Sequence, residues 1–189
     1  MRIGPRSSLA AVAIAVGDAL RRHGIRAVLT GGACASLYTR GSYQSRDMDF
    51  IAVGAVTQPG LDRAMASVGF RRKGDRYVHP AVSFYVEFPR GPLAIGDDYQ
   101  ISPVTRSTAA GRAFVLSATD SCRDRLAAFY HWNDRQSLGV AVSIARRNRV
   151  DLARIRRWSA REGFPDRFVE FRAELARRRQ ARTRSDRGS

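Results

Sequence analysis

Residues 29–51, Leu-Thr-Gly-Gly-Ala-Cys-Ala-Ser-Leu-Tyr-Thr-Arg-Gly-Ser-Tyr-Gln-Ser-Arg-Asp-Met-Asp-Phe-Ile, constrain the fold more than any other stretch of the chain. The apolar run over 25–30 reads as a buried strand, and Gly31-Gly32 breaks it. A short helix is expected over 33–38, then a polar turn, then an alternating second strand over 47–53. Alternate residues of a strand share a face. Asp47 and Asp49 therefore aim at one patch, while Met48 points to the other side. Two carboxylates held together repel unless a cation lies between them. Mg2+ (or Mn2+) is the expected ion, because magnesium prefers oxygen ligands and substrate phosphates.

The glycine pair suits the same chemistry. Glycines after a strand and before a helix let a phosphate approach the backbone amides and the helix N-terminus. Arg46, just before the Asp pair, and Arg40 in the same turn can reach phosphate oxygens. Ser42 and Ser45 can donate hydrogen bonds there. Each part alone is common: an Asp-x-Asp at a strand start is usually a solvated turn, and a Gly-Gly is usually just a turn. Their order between two strands makes the stretch specific.

In that order the residues resemble the signature of the polymerase β-like nucleotidyltransferase superfamily. That signature is Gly-Gly or Gly-Ser, a spacer of about a dozen residues, then Asp-hydrophobic-Asp-hydrophobic. The likeness is greatest to small bacterial members, the minimal nucleotidyltransferases and the toxin-type relatives of toxin–antitoxin systems. It covers most of residues 25–140, tightly at 29–51 and loosely elsewhere. The resemblance implies an α/β (α+β) fold, a mixed sheet flanked by helices, followed by a helical subdomain. It implies a third carboxylate on a later strand, and Glu87 in Tyr85-Val-Glu-Phe88 is the matching position. It further implies a basic residue on the helix after the sheet, Arg123 or Arg125, and a following acidic residue, Asp134, near the nucleotide.

The activity implied is two-metal transfer of a nucleoside monophosphate from an NTP to an acceptor hydroxyl. Asp47 and Asp49 would hold one ion, and Glu87 would share the second. An RNA or tRNA end is the first candidate acceptor, and a cognate antitoxin protein is an implied partner. The sequence departs from the pattern in three places. Ala33 follows the glycines where a hydroxyl is common, the spacer is long, and Glu87 stands where Asp is usual. A binding-only descendant that takes nucleic acid or a partner protein stays open, as does nucleotidylation of a small molecule or a protein.

The rest of the chain fits this frame. Its 189 residues suffice for one sizeable core or a domain with a helical appendage. The formal charge of +16 calls for an acidic partner. Nearly all of it is arginine, with Lys73 the only lysine, a skew that a GC-rich coding sequence also produces. Cys34 and Cys122 make no disulfide framework or metal spacing, which suits a reduced cytoplasmic setting. The histidines His23, His79 and His131 form no close pair, so a zinc site is not expected. The apolar run over 9–16 is too short for a membrane span and reads as part of a first helix over 8–23, ended by Gly24.

Further along, a helix is expected over 61–68 and strands over 76–79, 82–88 and 111–116. Four helices then follow from about residue 119, with Ser117 or Thr119 as the first cap. Tyr38, Tyr43 and Trp132 are expected to be exposed and suited to stacking on bases. The boundaries are 1–117 for the α/β domain, 118–178 for the helical part and 179–189 for a basic disordered tail.

Overall fold

The computed structural model describes residues 2–185. Helix α1 (Leu9–Arg22) leads into strand β1 (Ala27–Leu29), helix α2 (Gly31–Thr39) and strand β2 (Asp47–Ala52). Helix α3 (Gln58–Ala66) is followed by β3 (Arg71–Lys73), β4 (Arg76–His79), β5 (Val82–Glu87), β6 (Val104–Thr108) and β7 (Gly111–Val115). Helices α4 (Ala118–Trp132), α5 (Arg135–Arg147), α6 (Leu152–Arg161) and α7 (Pro165–Ser185) complete the chain. The seven strands form one mixed sheet in the order β3-β4-β5-β2-β1-β7-β6. This is the expected class, a mixed sheet flanked by helices with further helices behind.

The middle of the sheet holds the two parallel pairings, β2 with β5 and β1 with β7, while β1 and β2 run antiparallel. On β2 the alternation is strict: Met48 and Phe50 are fully buried, and Asp47 and Asp49 are half-buried. Helices α1 and α3 cover the Met48 face. Gly17 of α1 sits against Ala113 and Phe50, and Gln58 and Asp62 of α3 bond the Tyr77 hydroxyl at 2.7 Å each.

Helix α1 is capped by Ser8, which accepts the Ala11 N–H, and it stops at Gly24 in the left-handed conformation. Residues 12–17 are all buried. This explains the uninterrupted apolar run: the helix is enclosed by protein on nearly every side. Ser117 caps α4, and Asp134 and Asp151 cap α5 and α6. The buried side chains form one continuous cluster from Leu9 through the sheet to Phe171 and Leu175 of α7.

Three expectations are corrected here. Strands β3 and β6 were not foreseen, because all their residues are exposed and carry no apolar alternation. Helix α7 runs on to Ser185, so 179–185 is helical where a disordered tail was expected; residues 186–189 lie outside the described residues. Tyr38 is buried and its hydroxyl donates to the Leu116 carbonyl at 2.7 Å, whereas Trp132 is 78% exposed. Among the described residues no helix is long and apolar enough to cross a membrane.

The tightest helix–sheet approach sets a prediction. A Cβ on Gly17 would lie 2.4 Å from Ala113 Cβ. Gly17→Ala should therefore destabilise the protein by about 1–3 kcal/mol in urea unfolding, despite alanine's better helix propensity. An unchanged or higher midpoint would show that α1 does not seat this closely.

Candidate active site

The turn from β1 into α2 brings backbone against carboxylate. The Thr30 N–H donates to the Asp49 carbonyl at 2.9 Å. Gly31 has φ +63°, and a Cβ there would lie 2.5 Å from Asp49 Oδ2. A Cβ on Gly32 would lie 2.7 Å from Ser45 Oγ and 2.9 Å from the Tyr43 hydroxyl. Gly31 is favoured by its backbone angle, and at both glycines a side chain would press on neighbouring polar side chains. The first turn of α2 contains no acidic residue, so no side chain of its own offsets the positive end of the helix.

Register supplies the third carboxylate. Asp49 on β2 pairs with Glu87 on β5, and Asp47 pairs with Tyr85. Directly paired residues share a face, so Asp47, Asp49 and Glu87 lie on one side of the sheet. β5 is flanked by β4 and β2, so Glu87 belongs to an interior strand, not an edge. The row continues outward through Arg76 on β4 to Lys73 on β3. The Arg76 guanidinium stacks on Tyr85 at 4.8 Å.

Burial, then the negative charges of Asp47 and Glu87, push the Asp49 carboxyl up to about 6; Asp124 adds to this and Arg125 opposes it. Asp124 and Arg125 both belong to α4, which therefore borders the site. Arg125 is gripped by Asp124 at 2.8 and 3.0 Å. Burial works against the Arg125 charge, yet Asp124, Tyr43 and Asp49 together hold its pKa above the ordinary value.

The other expected residues divide. Ser45 donates to Asp47 Oδ1 and is part of the cluster. Ser42 turns away, to the Thr39 carbonyl at 2.9 Å and to Ser143 of α5 at 3.3 Å. Arg46 is exposed in the bend just before β2, where its carbonyl accepts the Tyr85 N–H at 3.1 Å. Arg40 ends α2 in the left-handed conformation and is exposed. Asp134 spends both oxygens on Ser137, at 3.1 Å to its N–H and 2.7 Å to its hydroxyl, and so caps α5. These bonds, opposed by burial and helped by Arg125, lower its pKa.

Of the two arginines considered on α4, Arg123 is fully buried between Asp98 and Asp120 and stacks on Trp158 at 4.9 Å. Only Arg125 faces the carboxylates. Asp124 and Arg76 were missed: Asp124 looks like an ordinary helix-surface charge, and Arg76 joins the site only through register.

As the side chains stand, no three Asp, Glu, His or Cys groups among the described residues close into a metal-ligand set. The donor set still suits a hard divalent cation, being all-oxygen, on one face and mutually repelling.

No family model matches the chain, and no curated protein does. Among solved structures it is similar to an antigenic nucleotidyltransferase-like protein from Paracoccidioides brasiliensis. The TM-score is 0.52 at 15% identity, covering 75% of this chain and 76% of that one. The fold is that of a nucleotidyltransferase-like protein. A second similar structure is the antibiotic-resistance factor ANT(2″)-Ia, with TM-score 0.47 and 12% identity over 96% of this chain and 97% of that one. The nucleotidyltransferase-like fold agrees with the fold implied by the Gly-Gly and Asp-Met-Asp signature.

A pH prediction follows from Asp49. Its folded pKa, about 6, stands above the ordinary 3.8. The folded state then binds the extra proton between those values, so metal-free stability should fall as pH rises from about 4 to 6. Asp49→Asn should remove that slope and unfold at a higher temperature than wild type at pH 7 in EDTA. A variant that keeps the slope would place the shift on another group.

Proposed function

We propose that the protein is a metal-dependent nucleotidyltransferase that moves a nucleoside monophosphate from an NTP to an acceptor hydroxyl, with an RNA or tRNA end as acceptor. The observation that carries this reading is the register of Asp49 against Glu87, with Gly31 beneath the Asp49 carboxylate. In this reading Asp47, Asp49 and Glu87 hold Mg2+ (or Mn2+), which when bound neutralises the triphosphate and lowers the pKa of the attacking hydroxyl.

The chain's own groups supply the rest. The amides at Gly31 and Gly32 and the start of α2 receive phosphate oxygens. Arg125, oriented by Asp124, adds positive charge beside the leaving pyrophosphate. Glu87 takes the proton of the acceptor hydroxyl in this reading as it attacks the α-phosphate. Tyr43 and Tyr85 flank the site and offer ring faces to a base. A cognate antitoxin would belong to the toxin-type version of this reading.

A second acceptor class is favoured by one feature. A largely apolar cavity of about 780 Å³ has Leu9, Ile14, Leu37, Tyr43 and Arg106 in its lining. Its size is that of small-molecule sites, which suits nucleotidylation of a small hydroxylated compound.

Labelled NTPs with magnesium and, separately, total RNA, cell protein and a small-molecule pool would show where the label goes. Transfer to RNA is expected, and Asp49→Asn should lower it by about a hundredfold or more with the fold intact. Label moving only to small molecules would select the second acceptor. Wild-type protein that labels none of the three would favour a binding-only descendant, and an Asp49→Asn variant as active as wild type would refute the metal assignment.

A further inference from the structure

Beside the carboxylate site, a groove of about 400 Å³ runs between α5 and the loop carrying Ser42 and Tyr43. Its lining includes Gln136, Gly139, Ser143, Arg146, Arg147 and Arg178. The α5 residues recur at spacings of three and four, so they form one helix face. From Gln136 to Arg147 that face extends for about 16 Å.

Gly139 lies in the interior of α5, where glycine costs stability against alanine. No packing accounts for it: a Cβ at this position would meet nothing within 4 Å. The glycine instead deepens the floor of the groove. Ser42 and Ser143 bring two hydroxyls within 3.3 Å of each other in its lining. Arg146 and Arg147 are exposed and make no ion pair among the described residues. Arg178 is steadied by Glu174 at 2.7 Å. Tyr43 belongs both to this groove and to the carboxylate site, where its hydroxyl approaches Gly32. Tyr43 therefore links the groove to the carboxylate site.

We infer that this α5 groove binds the phosphodiester backbone of a single-stranded RNA acceptor, delivering its terminal hydroxyl past Tyr43 to Asp49 and Glu87. The inference rests on the transferase reading for its direction but on the groove for its ligand. Guanidinium groups fit phosphate oxygens, and Tyr43 can stack on a terminal base. The paired serine hydroxyls suit a ribose 2′-hydroxyl, which can both donate and accept.

The test is fluorescence anisotropy with a short labelled single-stranded RNA, in EDTA and without nucleotide, across a salt series. R146A/R147A should weaken binding by about tenfold and flatten the log–log salt slope by about 0.7 for each lost phosphate contact. The control R63A/R156A removes the same charge from α3 and α6 and should weaken binding far less. Gly139→Phe changes no charge but fills the groove, and it should weaken binding with the fold retained by circular dichroism. Gly139→Ala, a smaller change, should raise the melting temperature.

Equal losses in R146A/R147A and the control would overturn the groove, as would wild-type binding by Gly139→Phe. Mg·ATP affinity should be unchanged in R146A/R147A; loss of ATP affinity with RNA affinity intact would assign the groove to the nucleotide and overturn the proposal. Because these measurements need no catalysis, RNA held in the groove without any transfer would sink the transferase reading alone.

Discussion

The approach of Gly31 to Asp49 is the contact on which the site depends. A backbone in the left-handed region at +63°, with no Cβ, lets α2 start directly against the Asp49 carboxylate. The Thr30 N–H bonded to the Asp49 carbonyl locks the same corner from the main chain. Once α2 begins there, its amides, Asp47 and Asp49 share one cleft. A side chain at 31 would strain the backbone at this angle and press on the Asp49 carboxylate.

The second constraint is electrostatic. A chain of net charge +16 gathers Asp47, Asp49 and Glu87 on one face and half-buries them. Protein cations only partly answer that charge. Arg125 is itself claimed by Asp124, and Arg76 leans on Tyr85. Burial first, and then the repulsion of Asp47 and Glu87, hold the Asp49 pKa above its ordinary value. Acidic and basic groups placed so close suit a ligand with both signs of charge, which is what a metal-bound polyphosphate is. The buried Asp98–Arg123–Asp120 cluster contrasts with this, because there charges neutralise one another and cement α4 to the 96–98 loop and to α6 through Trp158.

Much of this was legible in the residues. The β1–Gly-Gly–α2–β2 order could be read because each part carries a local signal: apolar run, breaker, alternation. The helices from Ala118 onward announced themselves through caps and apolar periodicity. Strands β3 and β6 did not, since Arg71-Arg72-Lys73 and Val104–Thr108 are strands by virtue of their hydrogen-bonded neighbours rather than their own composition. The lining of the site was half-visible. Asp47, Asp49 and Glu87 could be named from pattern and resemblance, but Asp124 and Arg76 could not. Ser42 and Asp134 had suitable chemistry and proved to bond elsewhere or to serve as a cap.

By itself the sequence determined what depends on neighbours along the chain: that Asp47 and Asp49 share a face, that glycine must stand between strand and helix, and that α1 is core. Those follow from backbone periodicity and sterics, which act over a few residues. Only the tertiary structure decided which distant groups meet them. Glu87 reaches Asp49 through a parallel register, and Arg125 rather than Arg123 faces the cleft through the rotation of α4. A shift of one residue in β5 would have turned Glu87 to the opposite face, and a half-turn rotation of α4 would have put Arg123 in place of Arg125. Register and helix rotation are set by packing of the whole core, and no local stretch of residues encodes them.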